Sequence, residues 1–140
     1  MRFIFFAPYR THAISFFHSL NLLPLSFLYF KSVSSIMYDV SKDAAPESIS
    51  RLFATSSETH NYNTRFASSG NFQIKHARTN YILKSFSSIG ARMWNSIPLN
   101  IRALPKQKFK ATLHSQLLSI LVEEDSYIDT HTLISAMSKL

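Results

Sequence analysis

Between Thr59 and Val122 the chain carries no Asp or Glu, yet Arg65, Lys75, Arg78, Lys84, Arg92, Arg102, Lys106, Lys108 and Lys110 all fall there, nine of its fifteen Lys and Arg residues. Cationic side chains without carboxylates among them suit a polyanion: on one face they hold a phosphate backbone and release its counterions. The plain alternative is a solvated basic surface whose acidic neighbours come from the rest of a fold. The candidates for phosphate contact are Arg65, Lys75, Arg78, Lys84, Arg92, Lys106, Lys108 and Lys110. A net charge of +7 and a pI near 9.9 widen the choice of partner to RNA, DNA or an anionic membrane surface.

Other chemistries find little to work with. The eight acids, Asp39, Asp43, Glu47, Glu58, Glu123, Glu124, Asp125 and Asp129, include no pair set in an apolar strand end, the kind of placement that tunes carboxylates for acid–base work. Glu123 to Asp125 read as a charged segment at a helix end rather than a metal site. The six histidines are scattered, none four residues from another, and no cysteine can complete a zinc set. No serine sits in a Gly-x-Ser-x-Gly turn, and Gly70 and Gly90 are too few for a phosphate-cradling loop. The residues therefore predict no catalytic site, no metal and no cofactor. The lack of cysteine fits an intracellular setting, in nucleus or cytoplasm.

The elements that position the basic residues divide into four regions. Residues 1–54 are an apolar helical segment, 55–71 a polar linker, 72–122 a basic module, and 123–140 an acidic and helical tail. In the first, Leu22, Leu23, Leu25, Phe27 and Leu28 are expected to face inward from two helices separated near Pro24, with helical spacing continuing through Tyr29, Ser32, Ile36 and Val40. The run from Ala13 to Phe30 is interrupted by His18, Asn21 and Pro24, which argues against a membrane span. "PESISRLF" opens a short helix buried through Ile49, Leu52 and Phe53. Beyond Gly70 a two-residue alternation at Phe72 and Ile74, and again at Ile82, Lys84 and Phe86, predicts short extended segments or a hairpin near 72–86. A helix follows, with Ser87 or Ser88 as its cap and Ile89, Met93 and Ile97 on one face, ended by Pro98. Another runs from about Pro105 to Val122 with Phe109, Leu113, Leu117 and Leu121 every four residues, and "THTLISAMSKL" forms one more short helix. The fold class expected is α+β, mostly α. Trp94, the only tryptophan, together with Phe86 and Phe109, is expected to hold the core.

Four motifs in order carry a resemblance: His60, Tyr62, Asn63, Thr64 and Arg65; then Arg78, Thr79 and Asn80; then Phe86, Ser87, Gly90, Trp94, Asn95, Ser96 and Pro98; then Phe109, Lys110 and Leu113. With them, the stretch from about Leu20 to Leu121 resembles the C-terminal region of reverse transcriptases encoded by non-LTR (LINE-type) retrotransposons. Ile97 stands where that family usually has Leu. The resemblance implies a piece of an RNA-directed DNA polymerase whose partners are RNA or DNA and the remainder of the polymerase polypeptide. It implies no polymerase activity, because the family's magnesium-binding aspartate turn has no match here: Tyr38 and Asp39 are followed by Val40. The function expected is therefore a noncatalytic C-terminal fragment that assists nucleic-acid binding. Two rivals stand beside it, an interdomain packing piece or retroelement remnant without independent function, and a small membrane-associated protein anchored by residues 3–30.

Overall fold

The computed structural model describes residues 14–59, 64–76, 78–123 and 129–139. Its longest elements are α2 (Leu25–Ser41), α7 (Phe86–Ser96), α9 (Lys106–Glu123) and α10 (Thr130–Met137); α1 (Ile14–Ser19) and the short turns α3 (Glu47–Ser50), α4 (Ser56–Thr59), α5 (Arg65–Ser68), α6 (Asn80–Leu83) and α8 (Leu99–Arg102) link or flank them. The interior is built where α2 packs on α7 and α9, with α10 closing against α2 and α7.

The helix α2 begins at Pro24, which already lacks the N–H that a helix start leaves unpaired. Phe27, Phe30, Val33, Ser34, Met37 and Tyr38 recur at helical spacing and face the core. Its end is a Schellman motif: Ala44 N–H donates to Asp39 O at 2.8 Å and Asp43 N–H to Val40 O at 3.2 Å, with Asp43 in the left-handed region at φ 53°. The α1 helix stops the same way, through Asn21 at φ 54° and Leu22 N–H donating to Phe17 O. Of the residues expected to face inward, Leu23, Phe27 and Val40 are buried, but the rest of that stripe is not. Leu25 (83% exposed), Leu28, Tyr29 and Ile36 lie on the outer side, and Leu22 is also exposed. Both stripes are apolar, so periodicity alone does not choose between them.

Gly90 lets α7 approach α2 closely. A Cβ there would meet Met37 Sδ at 3.0 Å and Phe53 Cζ at 3.1 Å, tighter than ordinary contact. Phe53 also meets the rings of Phe72 and Phe86. On α9, Phe109, Leu113, Leu117, Ile120 and Leu121 are buried, each such side chain contributing about 1.5–3 kcal/mol relative to exposure. Tyr38 ties α2 to the start of α9, its hydroxyl donating to Leu104 O at 2.8 Å and its ring lying 4.8 Å from that of Phe109. Farther along the same pair of helices, Lys31 Nζ stands 3.3 Å from His114 Nδ1. Burial, and then the Lys31 charge, push the His114 pKa below its ordinary value. Asp129 caps α10 by accepting from the Thr132 N–H and hydroxyl, which hold its pKa below the ordinary aspartate value.

The α+β expectation with a hairpin near 72–86 is corrected. Among the described residues there is no strand, only an isolated antiparallel bridge between Thr55 and Phe72. Ser56 N–H donates to Asn71 O and Gln73 N–H to Ala54 O around it. Pairing stops there because the side-chain amide of Asn95 takes the place of another strand: its Oδ1 accepts from Phe72 N–H at 3.0 Å and its Nδ2 donates to Phe72 O at 2.8 Å. The second alternation, Ile82 to Phe86, is the turn α6 followed by Ser85 as N-cap of α7. A two-residue period over four or five residues is too short to separate strand from helical turn. The helix expected from "PESISRLF" is the single turn α3, which buries nothing fully, and Leu52 is exposed.

Candidate nucleic-acid interface

The chain from Trp94 to Arg102 forms a corner that turns α7 into α8 and α9. Proline disfavours helical geometry in the residue before it, and Ile97, preceding Pro98, is extended at φ −77°, ψ 130°. Pro98 in turn starts α8. A helix end leaves carbonyls without partners, and here α8 carries Arg102 back to them. Its Nε donates to Ile97 O at 2.6 Å, Nη2 to Asn95 O at 3.2 Å and Nη1 to Asn71 Oδ1 at 2.8 Å, with Ser69 O farther off at 3.5 Å. The guanidinium lies 5.4 Å over the Trp94 ring. Burial lowers its pKa from the usual arginine range, yet arginine starts so high that it stays charged. Four of the five guanidinium donors are thereby spent inside the protein, so Arg102 is a capping cation of α7, not a surface charge. Trp94 is buried beneath it, with Nε1 3.4 Å from Gly70 O. Residue spacing gave no hint of this hub, because Asn71 and Arg102 are 31 positions apart; "Trp-Asn-Ser-Ile-Pro" marked only its centre.

The eight basic candidates fall in different places. Lys84 and Arg92 come together on one groove of about 560 Å³, between α6, α7 and the start of α10. Leu83, Ile89 and Ile134 give it apolar lining, and Asn80, Asp129, Thr130 and His131 complete it. Lys75 and Arg78 are exposed on the irregular segment leading to α6, and Arg65 is exposed on α5. Lys106 is tied to Asp39 at 2.7 Å, which neutralises it in place. Lys108 and Lys110 are exposed on α9; at 100° per residue Lys108 projects roughly opposite Lys106. The seven candidates other than Lys106 have no ion-pair partner among the described residues. Of the motif residues, Thr64, Thr79 and Asn80 are exposed, Gly90, Trp94, Phe109 and Leu113 are buried, and Phe86, Asn95 and Pro98 are partly buried. His60, Tyr62 and Asn63 lie outside the described residues.

Among the described residues no three His, Asp or Glu side chains gather as a metal site, and no helix is long and apolar enough to cross a membrane. No protein-family model, curated protein or solved structure matches the chain.

Proposed function

We propose that this chain is a noncatalytic C-terminal piece of a retrotransposon-type reverse transcriptase that assists in holding RNA or DNA. The observation that carries the reading is the acid-free stretch from Thr59 to Val122, whose exposed cations, Lys106 apart, lack carboxylate partners among the described residues. The order of the four motifs supports the origin; the charge supports the activity. Arg65, Lys75, Arg78, Lys84, Arg92, Lys108 and Lys110 contact phosphates, while Lys106 does so only by giving up Asp39. The test is binding of the full chain and of Arg78→Ala/Lys84→Ala to labelled RNA and duplex DNA across a salt series. The double variant binds more weakly and its log K against log salt slope is shallower by about 2, close to one per phosphate contact removed. An unchanged slope excludes those two contacts.

One observation favours a second reading, that the chain packs against the preceding part of a larger polypeptide. The outer face of α2 presents Leu25, Leu28, Tyr29 and Ile36 to solvent with Leu22 beside them, and a contiguous exposed apolar surface marks a contact site. Under that reading the folded chain binds no nucleic acid, and charged substitutions at Leu25 and Leu28 raise its solubility.

A further inference from the structure

Tyr81 is 88% exposed, more than any other large apolar side chain among the described residues. Its ring has no hydrogen bond, ring contact or cation–π contact with another described residue. A lone exposed apolar residue is ordinary, but this one lies three residues in sequence from each of two cations, Arg78 and Lys84, both exposed and without an ion-pair partner among the described residues. It also sits on the turn α6 that builds the groove: Asn80, Leu83 and Lys84 recur at i, i+3 and i+4 and line it, so Tyr81 stands at its border. The same groove is lined by a further cation, Arg92, by the apolar side chains of Leu83, Ile89 and Ile134, and by one carboxylate, Asp129, against the two cations Lys84 and Arg92.

Resting on the nucleic-acid reading above, we propose that Tyr81 and this groove form a single-strand subsite. One base stacks on the Tyr81 ring, Arg78 and Lys84 hold the phosphates on either side, and the next base enters the groove over Leu83 and Ile89 beside Arg92 and the Asn80 amide. Stacking on an exposed ring is available to every base but needs its face uncovered. A duplex hides those faces, so the site selects single strands, whereas phosphate contacts alone do not.

The test compares the full chain with Tyr81→Ala and Tyr81→Phe by fluorescence anisotropy, using a labelled U-rich RNA, the matching T-rich DNA and a duplex of equal length. Tyr81→Ala weakens both single strands about tenfold, leaves the duplex affinity unchanged and leaves the salt slope unchanged; Tyr81→Phe, which keeps the ring, binds as the parent does. Circular dichroism of each variant confirms the same helix content, expected because the side chain is 88% exposed. If Tyr81→Ala loses nothing, or loses equally on single strands and duplex, the subsite is overturned while the broader reading stands. If the folded parent chain binds none of the probes, both fall together.

Discussion

Replacing Arg102 by Met keeps an unbranched stem against Trp94 and removes the guanidinium. Three acceptors then lose their donor: Ile97 O, Asn95 O and Asn71 Oδ1, all of which Arg102 reaches within 3.2 Å. A buried acceptor left unpaired costs about 1–3 kcal/mol. Three such losses are not additive, and releasing a buried cation from its desolvation penalty returns part of the sum. The net expected loss is about 2–4 kcal/mol, a large share of a stability that for domains is ~5–15 kcal/mol. Urea unfolding measures it, followed in parallel by far-UV circular dichroism and by the fluorescence of Trp94, the only tryptophan. Arg102→Lys retains the charge at the end of α7 but not the fork of donors, and falls between Met and the parent. A Met variant within about 0.5 kcal/mol of the parent, with unchanged Trp94 emission, refutes the view that this arginine closes the corner.

Gly90→Val pushes two methyl groups into Met37 and Phe53 and destabilises by about 1–3 kcal/mol, whereas Gly90→Ala stays within about 1 kcal/mol because gained helix propensity offsets the tighter contact; urea midpoints decide both. Asp43→Gly relieves a left-handed backbone at φ 53° and raises stability by roughly 0.5–1 kcal/mol in the same assay. The depressed Asp129 pKa means that its capping contribution is complete above the ordinary aspartate pKa and is lost as pH falls through the folded value. Asp129→Asn keeps an acceptor without the titration, so its stability changes less than the parent's between neutral pH and pH about 3; an identical loss in both removes Asp129 from the account.

How much of this was legible in the sequence depended on which signal each element used. The α9 helix was legible because Phe109, Leu113, Leu117 and Leu121 mark one face and the charges lie elsewhere, and the structure places α9 at Lys106–Glu123. For α2 the apolar residues run around the helix, and the choice of buried face rests on its partners: Met37 meets Gly90 of α7, and Tyr38 meets Phe109 of α9. The stops at Asn21 and Asp43 were open to reading as residues that tolerate the left-handed region. The extended segments were misread because Phe72 pairs with a side chain, Asn95, and no local pattern announces a partner 23 residues away. At the candidate site, composition exposed the excess of cations but not their geometry. It could not separate Lys106, bound to Asp39, from the cations without an ion-pair partner among the described residues, nor show that the donors of Arg102 are consumed within the corner. Tyr81 carried no periodic signal, and only its exposure drew attention to it.

The most direct test of the central claim is the affinity of the folded full chain for single-stranded RNA and duplex DNA, measured as a function of salt. Seven cations without an ion-pair partner among the described residues are expected to give binding that weakens steeply, with a slope of several units in log K against log salt. A chain with intact helix content that binds neither, or binds with no dependence on salt, contradicts the claim that these cations form a phosphate interface.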